Sequence, residues 1–119
     1  MLERYSVDKL YFKRQIELWG EERQSLLVKK TILIVGCGGL GSNLGLTLGA
    51  SGVGKIVLID FDSVEKHNIH RQIAYELKDC GKPKAEVLKS RIEARFEDVI
   101  VESMICDFRD ATNKLENTP

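Results

Sequence analysis

Apolar residues in this chain fall into compact blocks separated by segments with helical spacing. Three blocks, bounded by charged residues or glycine, predict strands over Ile32–Gly36, Lys55–Asp60 and Val99–Ile105. The first block is continuous, so we expect its strand to be buried on both faces, as in a parallel sheet. Between the blocks, the spacing predicts helices over about Leu40–Ser51 and Lys84–Phe96, the first of them apolar nearly all round.

The segment before the first strand, residues 7–28, has no strand-like alternation. Leu10, Leu18 and Trp19 fall near helical spacing, and Gly20 interrupts the pattern, which predicts two short helices. The complete pattern predicts an α/β fold: N-terminal helices, then a doubly wound parallel sheet truncated after about three strands. Because so small a sheet leaves an apolar edge and face uncovered, we also expect either a tight dimer or poor solubility of the isolated chain.

A glycine-rich turn follows the first strand directly. Gly36, Gly38 and Gly41 fit the pattern G-x-G-x-x-G, and Gly39 adds a fourth position without a side chain. In such turns one glycine reverses the chain, another lets the backbone approach a phosphate, and the last lets the helix pack on the strand. The following helix presents free N–H groups and the positive end of its dipole to an anion. The turn is therefore a candidate phosphate cradle in a Rossmann-like fold.

Acidic residues at the end of the second strand lie at a characteristic sequence separation from the glycine turn. Asp60 follows Gly41 by about 20 residues, the spacing at which an acid meets a ribose hydroxyl in doubly wound folds. Asp62 lies two positions further on. We therefore predict a nucleotide site, for which NAD is the first candidate to consider.

The segment after this strand favours ATP over NAD. It carries Asn68, Arg71, Gln72, Lys82 and Lys84 within a short stretch. Positive groups are needed where a phosphoryl chain is displaced, whereas hydride transfer does not require them. A lysine in the first turn of a helix is also unfavourable for the helix dipole, which indicates another task for Lys84.

Composition adds mainly exclusions. At 119 residues with 43% hydrophobic residues, the chain is long enough for one domain with a core. Its 18 basic and 18 acidic residues balance, so no global field favours a nucleic acid or an acidic membrane as a partner. No apolar run approaches the ~20 residues of a membrane span. We expect a cytoplasmic protein.

The cysteines and histidines give no sign of a metal site. Cys37, Cys80 and Cys106 form no CxxC pair, so neither a disulfide framework nor a zinc knuckle is expected. His67 and His70 have no acidic or cysteine partners at ligand spacing, and we predict no metal ligands among these residues.

Four motifs, in order, resemble the N-terminal half of the ubiquitin-activating-enzyme superfamily. They are YFKRQIELWG, GCGGLGS, LIDFDSVEKHNIHRQ and GKPKAEVLKSRI, and together they cover about residues 11–107. The resemblance is strongest to the bacterial ThiF/MoeB/HesA-type adenylyltransferases, which activate sulfur-carrier proteins for thiamine and molybdopterin synthesis. It implies that residues 1–119 are the nucleotide-binding N-terminal part of such a domain, and we expect the chain to be a fragment.

The resemblance also implies roles for individual residues. The glycine turn, Gly39 and Gly41 in particular, would face ATP, and Asp60 would hold the ribose. Asn68 and two catalytic cations, Arg71 and Lys84, would contact the phosphates. The remaining residues that we assign to nucleotide binding are Gly36, Gly38, Asp62 and Gln72.

Arg14 is a special case among the predicted catalytic residues. From spacing alone it is a solvated helix charge beside Gln15. The resemblance implies instead that it reaches across a homodimer to the γ-phosphate in the partner's site. Where the family often has an arginine ahead of it, this chain has Tyr11.

The implied reaction is adenylation. The C-terminal carboxylate of a ubiquitin-like sulfur-carrier protein attacks the α-phosphate of Mg·ATP, and the aspartate near Mg²⁺ is expected in the part of the domain beyond this chain. The 119-residue chain alone is expected to be inactive. One alternative is a tRNA threonylcarbamoyladenosine dehydratase, which shares the Asn-Ile-x-Arg-Gln and GKPKAEV segments and would make tRNA a partner. Another is a non-catalytic module for ATP binding or dimerisation, and a dehydrogenase ranks third.

Overall fold

The computed structural model describes residues 7–116, which form an α/β unit. The elements are α1 (Lys13–Trp19), α2 (Glu21–Leu27), β1 (Thr31–Val35), α3 (Gly39–Ser51), β2 (Lys55–Ile59), α4 (Lys84–Arg95), β3 (Ile100–Met104) and α5 (Phe108–Glu116). Two single 3₁₀ turns, Lys66–Asn68 and Leu77–Asp79, lie between β2 and α4. The predicted strands and helices are thus confirmed, with bounds that differ by at most one residue.

The three strands form one parallel sheet in the order β1-β2-β3. In register, Ile32 lies beside Ile56, which lies beside Val101. These side chains and their neighbours join the main core with α3 and α4, whereas Val57 and Ile59 face the opposite side and pack with Ala111 of α5. Helices therefore cover both faces, as a doubly wound sheet requires. None of the helices described is long and apolar enough to cross a membrane.

The prediction that the first strand is buried on both faces is wrong for the described chain. Leu33 is 43% exposed and Val35 is 52% exposed. Both lie on the α5 side of the sheet, but α5 packs over Val57 and Ile59 of the middle strand and leaves β1 open. The uncovered apolar face that we predicted is therefore present at β1.

Helix α3 is buried through its small residues rather than its leucines. Gly45 and Gly49 are buried, and a Cβ on either would lie 3.0–3.3 Å from side-chain carbons of α4 or of Phe96 after it. On the other side, Leu40 is 76% exposed and Leu44 is 40% exposed. One face of α3 therefore packs closely on α4 through glycine, and the leucines on its other face are exposed within this chain.

The N-terminal helices dock at the C-terminal end of α3. Nε2 of Gln15 and Nε2 of Gln24 each donate a 2.9 Å hydrogen bond to the Ser51 carbonyl. Oε1 of Gln24 accepts from Gln15 and from the indole of Trp19. Gln24 is fully buried in this network, which fixes α1 and α2 at the end of α3 opposite the glycine turn.

Candidate nucleotide-binding site

The glycine turn joins β1 to α3 through a backbone that only glycine permits at two positions. Gly36 has a φ of +98°, a conformation that other residues rarely adopt. A Cβ on Gly41 would lie 1.8 Å from the Gly36 carbonyl oxygen, which is a direct collision with backbone. Gly36 thus turns the chain, and Gly41 allows α3 to pack tightly on that turn, as the spacing predicted.

Gly38 and Gly39 are different, because no packing requirement explains them. A Cβ on Gly39 would meet nothing within 4 Å, and a Cβ on Gly38 would meet only Nε2 of Gln72 at 3.9 Å. The first turn of α3 has no side-chain cap and no acidic residue. Its first N–H groups have no acceptor in the described chain and lie at the positive end of a 13-residue helix, which is the arrangement that binds phosphate.

Cys37, which lies between Gly36 and Gly38, is held by hydrogen bonds to both its N–H and its carbonyl group. Its N–H donates a 2.6 Å hydrogen bond to Oδ2 of Asp60, whose Oδ1 accepts from the Asp62 N–H at 2.6 Å. Its carbonyl accepts a 2.6 Å hydrogen bond from the hydroxyl of Tyr75. Asp60 thus has a structural task at the turn, and its remaining lone pairs are available to a ribose hydroxyl.

Lys84 is placed at this turn by the start of α4. Its N–H donates a 3.0 Å hydrogen bond to the Asp62 carbonyl, next to an antiparallel bridge between Ser63 and Pro83. The residue is only 7% exposed, and its ammonium group makes no hydrogen bond or ion pair with a described residue. A buried charge of this kind is costly unless it meets a counter-ion. The site therefore presents an unpaired cation beside an N–H cradle.

The pKa of the Cys37 thiol is influenced by the charges of Asp60 and Lys84. Its pKa is raised to about 12, mainly by burial and then by the negative charge of Asp60, while the positive charge of Lys84 lowers it. Both charged groups therefore lie within electrostatic reach of the turn. The thiol stays protonated at neutral pH, so Cys37 is a buried structural residue and not a nucleophile.

Three of the predicted site residues lie in the turns that follow β2. Asn68 is buried, and its Oδ1 accepts a 2.9 Å hydrogen bond from the Glu65 N–H, leaving Nδ2 only a 3.5 Å contact with His67. Gln72 is 2% exposed, and its Oε1 is buried with no hydrogen-bond partner in the described part of the chain. Arg71 is exposed at the surface between them.

One of the predicted residues does not join the others. Arg14 has an 89% exposed side chain and a 3.4 Å ion pair with Glu17 on its own helix. Helix α1 docks at Ser51, so the length of α3, about 18 Å at 1.5 Å per residue, separates it from the glycine turn. Within one copy of the chain, Arg14 therefore lies away from the site.

Sequence reasoning missed Tyr75 and a contact of His67. A tyrosine in a polar loop gives no local pattern, and only the fold brings its hydroxyl to Cys37, 38 positions away in the chain. His67, which we expected to lack an acidic partner, contacts the Glu65 carboxylate through Nε2. That pair is exposed and lies at the same turn as Asn68.

The elements that build this site also occur in a family of known proteins. The profile of the ThiF family matches residues 12–117. The chain belongs to the ThiF family. The match includes the glycine turn, the segment with Asn68 and Arg71, and the start of α4, so the elements that build the site are those of the family.

Among the curated relatives of this ThiF-family chain are two adenylyltransferases. It is 40% identical over 84 residues to a sulfur carrier protein adenylyltransferase of Thermus thermophilus, covering 71% of this chain and 31% of that protein. It is 46% identical over 78 residues to a probable molybdopterin-synthase adenylyltransferase of Porphyra purpurea, covering 66% of this chain and 20% of that protein. The chain thus spans between a fifth and a third of the length of these relatives.

Solved structures of the ThiF type share the fold. E. coli tRNA N6-threonylcarbamoyladenosine dehydratase, TcdA, in complex with ATP superposes with a TM-score of 0.83 at 29% identity, covering 92% of this chain and 46% of that one. E. coli MccB with ATP gives a TM-score of 0.72 at 35% identity, covering 81% and 28%. The Rossmann-like fold is therefore confirmed, and both of these similar structures hold ATP.

Proposed function

We propose that this chain is the ATP-binding part of an adenylyltransferase that activates the C-terminal carboxylate of a ubiquitin-like sulfur-carrier protein. The observation that carries the proposal is Lys84, a residue only 7% exposed whose ammonium has no ion-pair partner in the described chain, beside the N–H groups of Gly38 and Gly39, which have no acceptor there. A cation and an N–H cradle on the same side are a site for a phosphate chain. The names of the curated relatives support this class of reaction.

ATP fits the residues present better than a nicotinamide cofactor does. Lys84 supplies a fixed charge at the cradle, and the exposed guanidinium of Arg71 adds a mobile one. Asn68 offers Nδ2 as a donor while its Oδ1 is held by the Glu65 N–H. We propose that these three donors bind the oxygens of a triphosphate held at the N-terminus of α3, and hydride transfer has no need of them.

The carboxylate of the carrier must approach a chain of negative phosphates. Lys84 and Arg71 lower this repulsion and hold the α-phosphate for attack, while the glycine turn fixes its position. In the reaction, a carboxylate oxygen forms a bond to the α-phosphorus and the bond to the bridging oxygen of pyrophosphate breaks, giving an acyl-adenylate. We propose that Arg14 acts in the site of a second copy, because it lies far from its own.

Magnesium would enter with the nucleotide. Among residues 7–116 no group of three His, Cys, Asp or Glu side chains is arranged to hold a metal ion, so we assign no Mg²⁺ ligand here. The family resemblance leads us to expect an aspartate ligand in the part of the domain outside this chain. In the full-length protein, Mg²⁺ would neutralise phosphate charge that Lys84 and Arg71 leave uncompensated.

Pyrophosphate exchange tests the proposal. Full-length protein is mixed with ATP, Mg²⁺, labelled pyrophosphate and a candidate carrier protein, and label in ATP is counted. We expect carrier-dependent exchange that falls at least about tenfold in Arg71→Ala and Lys84→Ala, because each loses a charge on the phosphates. No exchange with any carrier, or exchange within a few-fold of wild type in both variants, would sink the proposal.

A second candidate has one specific observation in its favour. TcdA, a tRNA-modifying dehydratase, superposes on this chain with a TM-score of 0.83. The same cradle could then serve adenylation of a carboxylate on a tRNA nucleoside. Release of AMP triggered by tRNA and not by carrier protein would favour this candidate, and ATP binding without turnover by either trigger would favour a non-catalytic module.

A further inference from the structure

We propose that Tyr75 is a positioning residue that aims the N–H of Gly38 at the bound phosphate. The inference rests on the proposed function, because it explains how the cradle acquires its shape. Tyr75 is 1% exposed, and its hydroxyl donates a 2.6 Å hydrogen bond to the carbonyl of Cys37. The residue touches no open part of the site, so its effect must act through the turn.

The peptide bond links the Cys37 carbonyl to the Gly38 N–H. The two groups lie in one rigid plane, and in a trans peptide they point in opposite directions. Holding the carbonyl toward the buried Tyr75 hydroxyl therefore directs the N–H away from it. The N–H of Gly38 has no acceptor among the described residues, in keeping with an outward direction.

The turn needs such a restraint because it is flanked by glycine. Gly36 and Gly38 have no Cβ to limit rotation of the peptide planes, so the planes beside Cys37 can reorient at little steric cost. Two hydrogen bonds oppose this: the carboxylate of Asp60 holds the Cys37 N–H, and Tyr75 holds the carbonyl. Asp60 fixes the peptide before Cys37, and Tyr75 fixes the one after it.

Tyr75 also connects the cradle to the cation-bearing turns. Its own N–H donates a 3.0 Å hydrogen bond to the Gln72 carbonyl, and the Gln72 N–H donates to the Asn68 carbonyl at 2.9 Å. Gln72, with its unpartnered Oε1, lies over Gly38. The Tyr75 hydroxyl therefore sets the distance between the glycine turn and the segment that carries Asn68 and Arg71.

Tyr75→Phe removes the hydroxyl and keeps the ring. In the full-length protein we expect the affinity for ATP and for inorganic pyrophosphate to fall about tenfold, because one phosphate-facing N–H loses its orientation. The affinity for adenosine should stay within about twofold, since adenosine has no phosphate. Tyr11→Phe is the matched control: Tyr11 is 56% exposed and its hydroxyl has no hydrogen-bond partner in the described region, so all three affinities should be unchanged.

The outcomes separate this inference from the proposed function. If wild type binds neither ATP nor pyrophosphate, both ideas fall. If wild type binds ATP and pyrophosphate, only the role of Tyr75 is overturned by either of two results. One is that Tyr75→Phe binds ATP, pyrophosphate and adenosine with wild-type affinity, and the other is that its affinity for all three falls by the same factor. A measurement on wild type does not depend on the variant folding: the Gly38 amide resonance should shift on addition of pyrophosphate, and an unmoved resonance would contradict the inference.

Discussion

Replacing Lys84 by methionine should make the protein more stable and should also weaken its binding of ATP. Lys84 is 7% exposed and its ammonium has no ion-pair partner within the described chain, so in the absence of nucleotide its charge lies in a largely buried position without a counter-ion. Methionine keeps the length and flexibility of the side chain without the charge. We expect the free energy of unfolding to rise by about 1–3 kcal/mol.

The same substitution removes a charge-assisted contact to phosphate. Such contacts contribute about 1.5–3 kcal/mol, which corresponds to a loss of affinity of about ten- to a hundredfold. Urea unfolding of the full-length protein without nucleotide would give the stability, and calorimetric titration with ATP the affinity. Lys29→Met is the matched control: Lys29 is exposed and precedes β1, at the end of the strand opposite the glycine turn, so both quantities should stay near wild type. A less stable Lys84→Met variant, or one that binds ATP like wild type, would refute the reasoning.

Three further predictions concern the glycine turn. Gly39→Ala should leave the free energy of unfolding unchanged or raise it by up to about 1 kcal/mol, because a Cβ there meets nothing within 4 Å, yet it should weaken ATP binding about tenfold in calorimetry. Gly41→Ala should lower the free energy of unfolding by about 3 kcal/mol or more, since its Cβ would lie 1.8 Å from the Gly36 carbonyl oxygen. Equal effects of the two substitutions would contradict the assignment of Gly39 to phosphate binding and of Gly41 to packing. In the native protein, iodoacetamide should label the exposed Cys80 much faster than Cys37, as read by peptide mass spectrometry, and rapid labelling of both would show that the turn is open. Burial raises the Cys37 pKa from 9.0 to about 12, so the unfolded state loses the thiol proton at lower pH than the folded state does. The contribution of Cys37 to the free energy of unfolding is therefore constant below about pH 9 and should fall by up to about 1.4 kcal/mol per pH unit above it. If urea unfolding shows an equally steep loss of stability above about pH 9 in Cys37→Ala, this prediction is contradicted.

Local patterns predicted the order and the type of the elements well. Continuous apolar blocks identify strands because β2 is buried along nearly its whole length, and Gly20 separates two short helices as expected. The errors concern what covers an element. The apolar block ILIV predicts that its side chains are shielded from water. Which segment shields Leu33 and Val35 depends on where α5 packs on the sheet, and no local pattern in the sequence contains that information.

The site divides in the same way. The roles of Gly36 and Gly41 follow from their spacing, because a tight turn and a close approach are local requirements, and the structure confirms both. Tyr75 and the hydrogen bond it donates could not be predicted, since the contact joins residues far apart in sequence. The distance of Arg14 from the cradle likewise depends on the docking of α1 at Ser51.

The products formed from ATP distinguish adenylation of a carrier protein from simple hydrolysis. The account requires that the cradle of Gly38, Gly39 and Lys84 hold the phosphates so that an acceptor attacks the α-phosphorus. Full-length protein incubated with Mg·ATP and a candidate carrier protein should therefore release pyrophosphate and leave AMP attached to the carrier carboxylate, detected as an adenylylated carrier in intact-protein mass spectrometry. Formation of ADP and inorganic phosphate with an unmodified carrier would contradict the account.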